Sequence, residues 1–297
     1  MTKGQNDPLA GVLWMLATGL NFVAVTAIIR YLGPGLPAAE GAFIRFCFGL
    51  VFLMPALVPV LRAGLPRGTF RLFAARGALH SIATALWFYA MARLPVAEVT
   101  AIGYLNPVVV TIGAALVFGE RLHVRRIVAV AVALVGALII LRPGLRELSS
   151  GHLAQLGAAF FFGVSYLIAK ELARHAPAGA IVAIMSLSVT IGLAPLAALD
   201  WVTPSATQLA WLALVAVFAT GGHYCMSRAF AAAPLTVTQP VVFLQLVWAT
   251  ILGAAVFAEP VDPWVLIGGA VIIGAISYIT WREARLRKAG NTPAAVD

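Results

Sequence analysis

The stretch AMARLPVAEVTAIGYLNPVVVTIGAALVFGE, residues 90–120, returns as AFAAAPLTVTQPVVFLQLVWATILGAAVFAE at residues 229–259. At this shift of 139 residues, Ala92, Pro95, Leu105, Ala115, Val117, Phe118 and Glu120 meet Ala231, Pro234, Leu244, Ala254, Val256, Phe257 and Glu259. Each copy carries a long apolar run that ends in a glutamate, and neither alternates with period two, so both read as helices rather than strands. A second match lies at a shift of 140, where Leu16, Phe22 and Ile28 meet Leu156, Phe162 and Ile168. Two nearly equal offsets mark an internal duplication.

Outward from the duplicated stretch, the chain of 297 residues is 62% apolar and only 10% charged, against about 45–50% and about 25% in soluble domains. Apolar runs fall at about 9–29, 42–61, 77–92, 99–118, 127–141, 153–169, 179–199, 209–227, 235–258 and 265–281, with Arg45 the one charge inside the second. A helix needs roughly 20 such residues to cross a bilayer, and the shorter runs can be extended by snorkelling flanks. The first run is longer than a secretory leader and has a mate in the second half, so an uncleaved helix is expected. Five runs per half is an odd number, so the second copy enters the bilayer in the opposite sense. The expected fold is therefore all-α and integral to the membrane, with ten transmembrane helices as two inverted five-helix repeats, residues 1–148 and 149–297. Inverted repeats are a transporter architecture.

The net charge of +9 would elsewhere point to nucleic acid, but these cations sit singly or in small clusters between apolar runs. With the N-terminus cytoplasmic, fifteen of the twenty cations fall inside, while only Arg30, Arg93, Arg142 and Arg146 fall outside. The positive-inside rule thus places both termini in the cytoplasm and the protein in the inner (plasma) membrane. Cys47 and Cys225 lie in apolar runs without a CxxC or a His or Asp cluster, so neither a disulfide framework nor a metal site is expected. No Walker A, GxSxG or HExxH motif occurs, and the loops leave little room for catalytic structure. The expectation is not an enzyme, with no cofactor, no nucleic-acid partner and no oligomeric state set by any motif.

The repeated hairpin Ala90-Met-Ala-Arg-Leu-Pro95 with Leu105-Asn-Pro107 and Phe118-Gly-Glu120, matched by Ala229-Phe-Ala-Ala-Ala-Pro234 and Phe257-Ala-Glu259, resembles the drug/metabolite transporter superfamily in its ten-helix EamA-type branch. The resemblance covers about residues 9–282. The aromatic content of the spans is similar to that of the YddG-type aromatic amino-acid exporters, which implies outward passage of Phe, Tyr, Trp and related metabolites.

All eleven acids lie near span ends or in loops, whereas proton-coupled export of cationic drugs needs an acid within the membrane. The expected cavity lining is instead neutral or weakly basic. His80, Thr84 and Trp87, spaced at four and three, share one helix face and form the leading candidate; the competing reading is helix glue and packing. Asn21, Tyr104, Tyr166, Gln239, Gln245 and Trp248 are further candidates, with Gln245 and Trp248 on one face and Tyr104 at the repeat position of Phe243. His223 and Tyr224 point about 100° apart, and Tyr224 is the one expected to face the cavity. Arg45 either meets a substrate carboxylate or anchors the outer interface. Pro107 and Pro240 each remove a backbone donor, as hinges or as static kinks. Glu120 and Glu259, at helix C-terminal ends where the dipole opposes them, are expected to serve the following span or a basic loop partner.

These readings imply an alternating-access transporter that exports amino acids, in particular aromatic ones and related metabolites, through a central cavity by facilitated movement, with membrane lipid as its surroundings. Proton linkage through His80 or His223 would use an imidazole's ordinary pKa of about 6.5. The alternatives are another metabolite or drug moved by a proton-coupled antiporter, or a membrane scaffold or enzyme.

Overall fold

The structure is a computed structural model, and it describes residues 7–64, 68–118, 124–145, 147–172, 175–176, 178–232, 241 and 244–288. Eleven α-helices carry the described chain: α1 (Pro8–Leu32), α2 (Ala38–Ala63), α3 (Phe70–Met91), α4 (Val96–Gly103), α5 (Asn106–Phe118), α6 (Val124–Leu141), α7 (Ser150–Leu172), α8 (Ala178–Leu199), α9 (Ala206–Ala232), α10 (Leu244–Phe257) and α11 (Pro263–Lys288). Five stretches are long and apolar enough by themselves to cross a membrane: Leu9–Gly35, Ala38–Pro55, Ser150–Ala169, Ala180–Leu199 and Ala206–Met226. Shorter apolar stretches lie in α4 with α5, in α6, in α10 and in α11.

Local chemistry sets the helix ends. The Asp7 side chain accepts from the Ala10 N–H at 2.9 Å and Pro8 comes next, which satisfies the first turn of α1 at a position where proline loses no bond. Gly33 stops α1 at φ 64°, a conformation costly for any residue with a Cβ. The fourth span departs from the continuous helix expected over 99–118. It breaks at Tyr104 and Leu105, whose N–H groups bond three residues back to Ala101 and Ile102 at 3.2 and 3.0 Å. Pro107 is the second residue of the new helix α5. A proline lacks an N–H to give, and the first turn of a helix is where that loss costs least.

The packing itself has a two-fold pattern. The pair α1 with α9 is answered by α7 with α3, α2 with α9 by α8 with α3, and α1 with α10 by α7 with α5. The pairs α2 with α8 and α6 with α11 join equivalent spans of the two halves and so stand on the pseudo-axis. With five spans per half, this is the arrangement of inverted repeats. At the α6–α11 crossing a Cβ on Gly136 would lie 2.7 Å from the Gly268 carbonyl oxygen, and one on Gly268 would lie 2.5 Å from that of Gly136. Only paired glycines allow backbones so close.

Two large hydrophobic cores result, beside smaller clusters. One gathers Ile102, Tyr104, Leu105, Ala133, Ile140, Leu246 and Ile272 between α4, α5, α6, α10 and α11. The other gathers Val25, Phe46, Phe88, Met185, Val189 and Val215 between α1, α2, α3, α8 and α9.

Candidate substrate-binding site

His80 is buried on α3, and its Nδ1 lies 3.0 Å from the hydroxyl of the fully buried Ser165 on α7. The imidazole meets the Phe162 ring edge to face at 4.8 Å, and Trp87, two turns along α3, meets the same ring at 6.1 Å. Phe162 and Tyr166 stack at 6.2 Å with planes 12° apart, and Tyr166 also approaches His80 at 6.5 Å. The α3–α7 contact therefore builds a continuous aromatic wall from both helices. Thr84 shares the α3 face, but it is buried and its hydroxyl donates to the His80 carbonyl oxygen at 2.7 Å.

The two-fold mate of this contact, α1 with α9, also pairs a phenylalanine with a histidine. Phe22, the repeat mate of Phe162, meets His223 of α9 edge to face at 5.2 Å. Asn21 stands beside it: a Cβ on Gly221 would lie 3.1 Å from Asn21 Oδ1, and the Asn21 amide donates to the Ala17 carbonyl oxygen at 2.7 Å. His223 and Tyr166 keep exposed side chains. Tyr224 instead turns to Trp14 at 6.1 Å and toward Arg228, whose guanidinium donates to its hydroxyl at 3.4 Å.

Two cations lie on α2 and α3. Arg45 of α2 is partly buried, its guanidinium 4.0 Å from the Phe46 ring centroid. Arg76 of α3, which the charge pattern places among the cytoplasmic loop cations, is 6% exposed within the helix and stands one turn before His80 on the same face. Its guanidinium donates to the Ile181 carbonyl oxygen at 3.1 Å and to Met185 Sδ at 3.2 Å, while its Nε has no partner among the described residues. Neither cation has a carboxylate partner among the described residues.

Other candidates lie elsewhere. Tyr104 packs in the core of α4, α5, α6, α10 and α11 at the helix break. Trp248 packs against Val23, Val96 and Ala249, its indole nitrogen buried without a partner among the described residues. Gln245 lies against Gly19 of α1, at 3.8 Å from a Cβ placed there. Beside the break, Asn106 Oδ1 and Gln155 Oε1 are buried acceptors without a partner among the described residues. Gln239, Pro240 and Glu120 lie outside the described residues.

The end of the bundle away from the N-terminus is tied shut by polar contacts. Glu259, the residue that ends the second repeated stretch, accepts from Arg30 Nε and from the Val96 N–H at the start of α4, each at 2.9 Å. Arg30 also donates to the Ala92 carbonyl oxygen at 3.2 Å. Of the two partners expected, the following span or a basic loop residue, the cation is present as Arg30 at the last turn of α1, while the helix start that Glu259 serves is that of α4 and not of the following span α11. His152 of α7 lies 2.9 Å from Glu98 of α4, and the Ser149 N–H donates to His152 Nδ1 at 3.1 Å, so the ring proton sits on Nε2 toward the carboxylate. Arg142 pairs with Asp262. A cavity of about 220 Å³ opens here between Pro95, Glu98, Thr250, Glu259 and Asp262. Each of its three carboxylates is already engaged.

A sequence profile of the EamA-like transporter family matches residues 9–142 and again residues 149–281. The chain belongs to the EamA-like transporter family. Among similar EamA-type proteins, a riboflavin transporter of Vibrio cholerae is 29% identical over 294 residues, covering 97% of this chain and 98% of that one. An S-adenosylmethionine uptake transporter of Rickettsia prowazekii is 25% identical over 96% of this chain and 97% of its own. The pseudopaline exporter CntI of Pseudomonas aeruginosa is 27% identical over 90% and 94%. A solved crystal structure superposes with a TM-score of 0.59 and 19% identity over 94% of this chain and 96% of that one, a likeness of fold alone. This EamA-type chain is accordingly a multi-pass membrane transporter of small metabolites and not an enzyme.

Proposed function

We propose that this transporter moves small aromatic metabolites, aromatic amino acids among them, outward across the inner membrane by alternating access. The observation that carries the reading is the wall of His80, Trp87, Phe162 and Tyr166, whose rings meet edge to face or stack and leave Tyr166 part exposed. An aromatic solute completes such a wall with offset or edge contacts of its own. In this reading Arg45 meets the carboxylate, and neutral acceptors such as Asn21 meet the amino group.

The energetics are facilitated movement. No carboxylate stands at the centre of a span to exchange a proton for a cation. Alternation rests on the inverted halves: the polar ties of Glu259 with Arg30, Glu98 with His152 and Arg142 with Asp262 close one end, and the positive-inside rule makes that end the external one. Opening it requires these ties to part while the Tyr104–Leu105 break lets α4 tilt relative to α5.

A second reading is riboflavin, favoured by the identity to the Vibrio cholerae protein across nearly the full length of both chains. Purified protein in liposomes preloaded with labelled Phe, Trp, Thr, riboflavin or an organic cation, with and without a pH gradient, separates the readings. Loss of Phe and Trp without need of the gradient, weakened in His80→Ala and Trp87→Ala, is the expected result. Movement of riboflavin alone selects the second reading, and movement of only the cation in exchange for protons overturns both.

A further inference from the structure

His80 Nδ1 and the Ser165 hydroxyl oxygen are 3.0 Å apart, close enough to share one proton. Ser165 is fully buried, and its hydroxyl has no other partner among the described residues. The hydroxyls on the facing helix show the usual outlet for such a proton: Ser81 and Thr84 donate to carbonyl oxygens four residues back at 2.8 and 2.7 Å. Ser165 makes no such bond, so the acceptor for its proton is an unprotonated Nδ1 on His80. The reverse arrangement, with Nδ1–H donating to Ser165, would leave a buried O–H unpaired. The imidazole is therefore neutral, with its own proton on Nε2, on the side of the ring turned away from Ser165. That N–H has no acceptor among the described residues although His80 is only 8% exposed. The indole N–H of Trp87 likewise has none, and the Thr84 hydroxyl between them has already given its proton to the His80 carbonyl. What α3 brings unspent to the wall is two N–H donors, both on rings that meet Phe162, beside a Tyr166 that is 42% exposed.

Resting on the aromatic reading of the same site, we infer that His80 and Trp87 recognise the cargo as hydrogen-bond donors, and that the preferred cargo carries an acceptor, a nitrogen with a free lone pair or an oxygen, in or directly on its aromatic ring. A buried N–H without an acceptor carries a cost that such a ring atom relieves. Both donors belong to rings of the wall itself, so the cargo atom within their reach is one at the ring seated on that wall. A bare hydrocarbon ring covers the same surface and leaves both N–H groups unpaired. Ser165 is a positioning residue: it acts on the cargo only by keeping the proton of His80 on Nε2.

Phe and its three pyridylalanine isomers share backbone groups and ring shape, and differ in one ring nitrogen that accepts and does not donate. Equilibrium binding of each to the purified protein, at mildly alkaline pH where the pyridine ring is neutral, gives the preference as a ratio of dissociation constants. The tightest isomer is expected to bind at least about three-fold better than Phe, in keeping with one added net hydrogen bond. His80→Phe keeps a ring against Phe162 but removes the donor, and should bring the ratio below that mark. Ser165→Ala frees the proton to move to Nδ1 and should lower the ratio, with Ser165→Thr returning it. A smaller preference in the parent protein, or one that folded His80→Phe retains, overturns the inference and leaves the aromatic reading standing. Where His80→Phe does not fold, Ser165→Ala decides, and a ratio unchanged from the parent overturns the inference. Binding of none of the four solutes overturns the aromatic reading itself, and the inference with it.

Discussion

Replacing Glu259 by Ala removes two hydrogen bonds at once, and the geometry sets their cost. The Val96 N–H loses its acceptor at the start of α4, worth about 0.5–2 kcal/mol for a helix cap. Arg30 loses a charge-assisted bond worth about 1.5–3 kcal/mol, toward the lower end here because its side chain is 27% exposed and water can take up part of the loss. The expected destabilisation is about 3 kcal/mol, or roughly 8 °C in the unfolding midpoint of the purified protein in detergent. Glu259→Gln keeps an oxygen for Val96 while losing the charge, and is expected at about half that loss. Gly253→Ala should act as a milder version, because its new Cβ would lie 2.6 Å from Glu259 Oε2 and displace the carboxylate. A cycle with Arg30→Ala is expected to show coupling of about 1–2 kcal/mol. A Glu259→Ala midpoint within about 1 °C of the parent, or losses that simply add in the double variant, would refute the reasoning.

Other substitutions probe the packing and the wall. Gly136→Ala places a methyl against the Gly268 carbonyl and should cost about 1–3 kcal/mol, whereas Gly274→Ala, with nothing within 4 Å, should stay within about 0.5 kcal/mol in the same melting assay. Ser165→Ala leaves the buried His80 Nδ1 without its hydroxyl and should cost about 1–3 kcal/mol, with Ser165→Thr restoring part of it. An unchanged midpoint in Ser165→Ala would mean that the contact adds nothing to the α3–α7 packing.

The duplication is legible in the sequence because the shifts of 139 and 140 pair whole helices, and the odd number of spans in each half then requires inversion. The break in the fourth span is not legible, because an apolar run looks the same whether its helix is continuous or interrupted, and Pro107 fits the first turn of α5 as well as the interior of a kinked helix. Arg76 reads as a loop cation for a related reason: a cation beside an apolar run looks interfacial until α3 is seen to begin at Phe70. Phe22 and Phe162 are visible as repeat mates. Nothing in a phenylalanine's spacing says that it will meet an imidazole from another helix, and that depends on α1 packing against α9 and α7 against α3. The Arg30 partner of Glu259 lies 229 residues away, beyond any local pattern.

Phe22 and Phe162 provide the decisive measurement, since the inverted halves are held to enclose one site between them. Equilibrium binding of labelled Phe and Trp to purified Phe22→Ala and Phe162→Ala, with melting midpoints as folding controls, compares the two mates. Both folded variants are expected to lose at least about ten-fold in affinity for the same solutes, in keeping with an aromatic contact removed together with its buried area. Full affinity in either folded variant would contradict a single site shared by the two halves.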